Sequence, residues 1–336
     1  MFYLFYNYDI YMKILFFIIS FMILIVSELY YIHRAKIHNW TSAKNQRTDG
    51  HPIAVVGGGF IFYLAIVLWS LGAGWIYDPS EAMSALMVGS TMLAACSFAD
   101  DILQLKIWIR LVVQFIAIAF LCFQLPSIDI GIGIWIFYVI AAVGFVNAYN
   151  FMDGINGITG LYSLAVLCPI LWYNLNIHHF ISGTLILFAI MAIAIFCFFN
   201  CRRRAIIFAG DVGSITMGYI VTALLSFMIF TTNDITIIIL VIVYGVDTTM
   251  TIIRRIIERE NIFQSHNKHA YQILNRIFRV PQMLISSCYA AIQIAISIGY
   301  LSIPKSMHWP YITVVTALLI TIWLIITLAG SKKKNL

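Results

Sequence analysis

Two adjacent carboxylates, Asp100 and Asp101 in SFADDILQL, begin a series of polar groups set into an otherwise apolar chain. NAYNFMDGING (147–157) contributes Asn147, Asn150, Asp153 and Asn156, AGDVGSITMG contributes Asp211, and SHNKHAYQ contributes His266 and His269. Asp and Asn oxygens without nearby cysteine are hard ligands suited to Mg²⁺, which takes one or two protein carboxylates and leaves its other positions to water and phosphate. Lys106 and Arg110 follow the Asp pair, and Arg254, Arg255 and Arg259 precede the histidines, so cations are at hand for a diphosphate. The chemistry these residue types allow is metal-assisted handling of a phosphate ester.

Each motif also has a plainer reading. An Asp pair at a helix end and the Gly-Asp-x-Gly-Ser of 210–214 could be helix caps, although Asp211 just before a helix would share an anion with that helix's free amides. Asn147, Asn150 and Asp153 recur every three residues along one helical face, which is more than a turn requires. Gly154 and Gly157 would let the backbone approach a ligand. The HxxH spacing puts two imidazoles on one face of a helix, but no third zinc ligand lies nearby. Asp247, in VYGVDTTMTIIRR, is equally a structural partner for an Arg such as Arg254 and a site residue.

These groups must be positioned by membrane helices. Of 336 residues 62% are hydrophobic and 10% charged, and apolar runs of about 20 residues, long enough to cross roughly 30 Å of hydrocarbon, recur throughout. Eleven spans are expected, at about 11–30, 54–76, 82–99, 108–125, 130–148, 158–175, 180–199, 213–231, 235–253, 282–302 and 310–329. The first lacks a small-residue cleavage site and is read as a retained anchor. The six cysteines show no metal or disulfide spacing and read as packing residues.

With the N-terminus outside, every Lys and Arg except Lys13 and Lys305 falls on one side, the positive-inside pattern. The expectation is an all-α polytopic integral membrane protein of about eleven transmembrane helices, N-terminus periplasmic and C-terminus cytoplasmic. It is a single domain over 1–336, with a first cytoplasmic loop at 31–53 and a last large one at 254–281. The net charge of +6 is then topological, which excludes a nucleic-acid partner. Asp100, Asp101, the 147–156 cluster, Asp211 and the two histidines all fall at cytoplasmic ends of spans, pointing to one site.

Taken in order, DD at 100–101, NxxNFMDGxNG at 147–157, GDxGSxxxG at 210–218, DT followed by RR at 247–255 and HxxHxYQ at 266–272 resemble the polyprenyl-phosphate N-acetylhexosamine-1-phosphate transferases. This is the WecA and MraY superfamily, glycosyltransferase family 4. The resemblance implies Mg²⁺-dependent transfer (Mn²⁺ as a substitute) of a sugar 1-phosphate from a UDP-activated amino sugar to undecaprenyl phosphate, releasing UMP, at the cytoplasmic face of a bacterial inner membrane. It also implies roles: Asp211 and Asn150 as metal ligands; Asp100 and Asp101 ordering the metal and lipid phosphate or deprotonating the latter; Asp153 and Asn147 completing the polar shell. Asn156 should lie near the uracil. Lys106, Arg110, His266 and His269 are candidates for diphosphate or sugar contacts, with Arg254 and Arg255 among the substrate-binding cations. Dimers occur in the superfamily, and the sequence leaves a homodimer open.

The muramyl-pentapeptide branch carries a consecutive His run after a Pro, which SHNKHAYQ lacks. HAYQ is more similar to the WbpL-type enzymes of O-antigen synthesis, whose donors are UDP-N-acetyl-6-deoxyhexoses (FucNAc or QuiNAc), than to the WecA type, which uses UDP-GlcNAc. Two departures stand out: Val55 and Val56 occupy positions where a Pro and a small or basic residue are expected, and the span holding Asp247 lacks the Pro three residues before it, predicting a straighter helix. A transporter of an anionic substrate is the alternative from another class, but the chain shows no internal repeat and its acids gather at one face. An inactive scaffold would have lost an Asp, and none is missing.

Overall fold

The computed structural model describes residues 2–40, 55–73, 84–103, 105–126, 131–261 and 266–334. Its α-helices are α1 (Phe2–Ile37), α2 (Phe60–Ala73), α3 (Ser84–Leu103), α4 (Ile107–Cys122), α5 (Ile132–Met152), α6 (Ile158–Asn176), α7 (Gly183–Asn200), α8 (Gly210–Thr232), α9 (Ile242–Ile257), α10 (Ala270–Arg276), α11 (Gln282–Ser302) and α12 (His308–Lys334). The chain is an all-α, multi-pass membrane protein. Among the described residues eight segments are long and apolar enough to cross a bilayer, while Phe60–Gly72, Ser84–Asp100 and Ile107–Cys122 are shorter apolar helices. Each of the eleven expected segments overlaps one of these.

Helix α8 is the axis of the bundle. Within its most apolar window 94% of residues are buried, against 17% in α1 and α12. A helix apolar on all sides belongs inside, and α2, α3 and α5 pack around α8. A second set forms around α6, which packs on α7 and α11. Large side chains such as Trp69, Tyr149, Tyr162, Tyr219 and Tyr244 fill the space between helices.

The span expected at 235–253, and expected to be straighter for want of a Pro, is not one continuous α-helix. Ile235–Val241 forms a 3₁₀ helix before α9 begins, with Asp234 accepting from the Thr236 amide. No Pro is needed, because side chains satisfy the backbone groups that the break releases. Gln293 donates to the Ile239 carbonyl (3.1 Å) and accepts from the Val243 amide (3.2 Å), and the Tyr162 hydroxyl accepts from the Tyr244 amide (3.2 Å). Inside hydrocarbon such replacement is what makes an irregular turn tolerable. The Tyr162 and Tyr244 rings stack at 3.5 Å across this point.

The loop before α2, with Val55 and Val56 in unexpected places, has a clear structural role. Val55 bridges Ile207 in parallel, and the Gly58 and Gly59 amides donate to the carbonyls of Phe208 (2.9 Å) and Ala209 (3.1 Å). This short pairing leads directly into α8 and fixes where its first turn starts. It brings backbone against backbone: a Cβ on Gly213 would stand 2.6 Å from the Gly59 Cα. We expect Gly213→Ala to push the loop away from α8 and lower stability by about 1–3 kcal/mol, the usual cost of overpacking. Thermal unfolding in detergent checks this, and an unchanged midpoint would contradict it. Residues 41–54, most of the expected first cytoplasmic loop and the start of this segment, lie outside the described residues.

Candidate functional site

Four helices deliver one polar cluster. Asp100 sits near the end of α3, Arg110 in the first turn of α4, Asn150 near the end of α5, and Asp211 in the first turn of α8 rather than ahead of it. Arg110 Nη1 donates to Asp100 Oδ2 at 2.6 Å and to Asp211 Oδ2 at 3.3 Å. Asn150 Nδ2 donates to Asp211 Oδ1 at 3.0 Å and to Ser214 Oγ at 2.9 Å. Ser214 in turn donates to the Gly210 carbonyl, so one turn of α8 presents both partners of Asn150. The Asp211 and Arg110 side chains keep 32% and 30% of their surface exposed, so the cluster is reachable from outside.

The face expected to carry Asn147, Asn150 and Asp153 together divides among three neighbours. Asn147 makes a reciprocal amide pair with Gln114 of α4 (2.6 and 3.3 Å). Asp153 ends α5 and accepts from Thr159 at 2.6 Å. Gln114 was missed from sequence, although a Gln four residues after Arg110 on an apolar helix shares its face and was a readable signal. Ser214 was visible within the GDVGS motif. Asp101 lies in α3, its side chain outside the described residues, and Lys106 is exposed just ahead of α4.

Asn156 does not join the cluster. It is 2% exposed; its side-chain amide donates to the Arg202 carbonyl, its own amide donates to Gln282, and its carbonyl accepts from Ser286. The glycines beside it face protein and not an open pocket. A Cβ on Gly154 would meet the Tyr271 hydroxyl at 2.1 Å, and Gly157, at φ +80°, faces the Met283 sulfur at 3.0 Å. Both are needed for internal packing, which corrects the expectation that they open the backbone to a ligand.

The HxxH pair is also arranged differently from expectation. His266 precedes any helix and His269 is the N-cap of α10, in extended backbone, so no helical face carries both. The rings nevertheless lie 4.9 Å apart, with the Phe151 ring 6.4 Å from His266. The Tyr271 hydroxyl donates to the Phe151 carbonyl, tying this segment to the end of α5, one residue from Asn150.

What holds the segment is Asp247. It is buried within α9, where Oδ1 accepts from the Ala270 amide (2.9 Å), Trp323 Nε1 (3.2 Å) and Thr251 (3.3 Å), and Oδ2 from Tyr289 (2.7 Å). His269 Nδ1 stands 3.5 Å from Oδ1, within ion-pair range but outside hydrogen-bond geometry. Asp247 therefore partners the HxxH segment and not Arg254.

The cations Arg254 and Arg255 are engaged at the end of α9. Arg254 pairs with Glu258 (2.8 Å) and Arg255 with Glu260 (3.3 Å), and Lys268 pairs with both acids. This cluster crosses from α9 to the HxxH segment and is separate from the Asp100–Arg110–Asp211 group. Partial burial, then His269 and Arg255, push the His266 imidazole from an ordinary 6.5 down to about 4. His266 should be neutral at pH 7. Because the folded chain resists a proton that the unfolded chain accepts below 6.5, stability from this residue is lost as pH falls from 6.5 towards 4. Imidazole NMR should find its midpoint near 4, and a midpoint at 6.5 would contradict this environment.

The carboxylates of Asp100 and Asp211, from α3 and α8, share the Arg110 guanidinium, and Asn150 donates its N–H to the second; carboxylate oxygens are the donors that suit a hard cation. Among the described residues no group of three His, Cys, Asp or Glu forms a metal cage.

A model of the glycosyl transferase family 4 matches residues 83–231 of the chain, the stretch that contains Asp100, Arg110, Asn150 and Asp211. A probable undecaprenyl-phosphate N-acetylglucosaminyl 1-phosphate transferase of Bacillus subtilis is 27% identical over 292 residues, covering 81% of this chain and 80% of the relative. A phospho-N-acetylmuramoyl-pentapeptide-transferase of Lactiplantibacillus plantarum is 26% identical over 235 residues, covering 62% and 70%. One of the same name from Fervidobacterium nodosum is 26% identical over 224 residues, covering 61% and 67%.

Proposed function

We propose that this chain, whose matching segment and relatives support a place in glycosyl transferase family 4, moves an N-acetylhexosamine 1-phosphate from a UDP-sugar to undecaprenyl phosphate. The observation that carries this reading is the convergence of Asp100, Arg110, Asn150 and Asp211, from four helices, within the family-matching segment. The lipid phosphate oxygen attacks the β-phosphorus, the bond from that phosphorus to the bridging oxygen breaks, and UMP leaves with that oxygen. One diphosphate is consumed and one is made.

No acid or base is strictly required, because a phosphate oxygen is already ionised near neutral pH. The residues act by position and charge. Asp211, held by Asn150 and Arg110, and Asp100, held by Arg110, supply two fixed carboxylates; Mg²⁺ bound to them would offset charge on the diphosphate. Arg110 is placed to contact a phosphate oxygen as well as both acids. Lys106, exposed in extended backbone just ahead of α4, adds a second cation four residues before it in sequence. The acids and cations gather where a cytoplasmic nucleotide and a lipid headgroup can meet, with the inner membrane as the setting.

The donor has two readings. HAYQ favours a UDP-N-acetyl-6-deoxyhexose, and with it an initiating step of O-antigen or related surface polysaccharide. The Bacillus subtilis relative, aligned over most of both chains, favours UDP-GlcNAc. A missing 6-hydroxyl is read by apolar contacts worth about 1–3 kcal/mol, so the two donors should differ by roughly 10- to 200-fold in kcat/KM. The test is UMP release by purified protein with undecaprenyl phosphate and Mg²⁺, comparing UDP-GlcNAc, UDP-FucNAc and UDP-QuiNAc with and without lipid and chelator. Lipid-dependent, chelator-sensitive release supports the reaction, and the preferred sugar selects the donor. Release indifferent to lipid would overturn it.

A further inference from the structure

A crevice of about 300 Å³ opens between α9, α10, α11 and α12, away from the Asp100–Asp211 cluster. Leu284 and Ile292 of α11 and Leu319 and Ile322 of α12 form its sides, and three of these four are strongly exposed at its mouth. Asp247 and Tyr289 lie at its inner wall, but their polar atoms are turned to each other and to Ala270 and Trp323. The lining therefore offers contact only to hydrocarbon, and a polar ligand would lose its hydration without replacement. The volume is at the lower end of the roughly 300–1,000 Å³ range of ligand pockets, room for part of a chain.

The cytoplasmic end of this crevice is basic. Gly330 of α12 packs on α10, where an added Cβ would stand 2.6 Å from Ile273, and Lys333 Nζ lies 5.2 Å from the Phe278 ring centre. Exposed Lys332 and Lys333 are thereby brought to the turn that carries exposed Arg276 and Arg279. Residues 266–336 contain no Asp or Glu, so these four cations have no acid in their own segment. An apolar slot beneath cations that form no ion pair among the described residues is the complement of an anionic lipid.

We propose that the crevice binds one acyl chain of an anionic membrane phospholipid, whose phosphate rests on Arg276, Arg279, Lys332 and Lys333. The occupant backs Trp323 and Tyr289, two of the donors to Asp247, and so buttresses the segment that holds His269.

The test reads lipid contact, so its outcome is independent of the transferase reading. Protein in nanodiscs is labelled with phosphatidylglycerol or phosphatidylcholine carrying a diazirine in one acyl chain, and labelled peptides are mapped. Phosphatidylglycerol should label 282–292 and 319–326 well above the lipid-facing stretch 14–26 of α1, and above phosphatidylcholine by on the order of fivefold or more. Ile322→Trp, at an exposed position that tolerates a larger side chain, should reduce crevice labelling to the α1 level, and Arg276→Gln with Arg279→Gln should remove the headgroup preference. Labelling equal on α1 and the crevice, or unchanged in Ile322→Trp, would overturn the site. Equal labelling by both headgroups would overturn the anionic assignment. Displacement by undecaprenyl phosphate at equimolar ratio would give the crevice to the acceptor lipid and overturn the proposal.

Discussion

Asp211→Asn should lower the rate of UMP formation by about 10²- to 10³-fold while leaving the protein folded in detergent, the scale seen when one electrostatic contact to a transition state is removed. The substitution keeps size and shape, so an amide oxygen can still accept from Asn150 or Arg110. What it removes is the negative charge that Asp211 shares with Asp100 across Arg110. A hard dication held by Asp100 and Asp211 would lose one of its two anionic ligands, and Arg110 would keep Asp100 as its one carboxylate partner of the pair. Because the side chain is partly exposed, no deep desolvation of the new amide is involved and the unfolding midpoint should move little. Initial rates with saturating lipid, paired with a melting curve, separate the two effects. Near-normal turnover in the variant would remove Asp211 from the site.

Asp247→Ala should produce the opposite division, with stability the larger loss. The methyl group would leave the Ala270 amide, Trp323 Nε1 and the Tyr289 hydroxyl without their acceptor inside the bundle. Each orphaned buried donor costs roughly 1–3 kcal/mol, so a loss of about 3–5 kcal/mol is expected even after some relaxation. Asp247→Asn, which retains one acceptor oxygen, should lose about half as much. Melting curves of the two variants check the order, and a neutral Asp247→Ala would show that this network does not hold α10 in place. Turnover should fall as well, since His269 and the Phe151 contact of Tyr271 depend on where α10 begins.

Much of this arrangement was legible before any coordinates. Polar breaks in a strongly apolar chain mark where helices end, and acids near hydrocarbon need partners, so Asp100, Arg110, Asn150 and Asp211 could be expected to meet. Their actual pairing could not be read. That Arg110 serves both acids and that Asn150 reaches Ser214 depend on how α3, α4, α5 and α8 rotate against one another, and an almost uniformly apolar α8 carries no stripe to set that rotation. The 3₁₀ break at Ile235–Val241 was hidden for a related reason. It is permitted by Gln293 and Tyr162, distant in sequence, and not by a local Pro or Gly. The pairings of Arg254 and Arg255 were within reach, since Glu258 and Glu260 follow at spacings of four and five. The close contact of Gly59 and Gly213 joins two segments more than 150 residues apart, and nothing in either alone announces it.

The measurement that bears most directly on the central claim is the fate of the donor's β-phosphorus. A UDP-N-acetylhexosamine labelled with ³²P at that position is incubated with the purified chain, undecaprenyl phosphate and Mg²⁺, and the lipid and aqueous phases are separated. Transfer of sugar 1-phosphate at the Asp100–Arg110–Asp211 cluster predicts label in the lipid product and unlabelled UMP in the water. Label retained in a nucleotide diphosphate while sugar moves to lipid, or label confined to the aqueous phase with every donor, would contradict it.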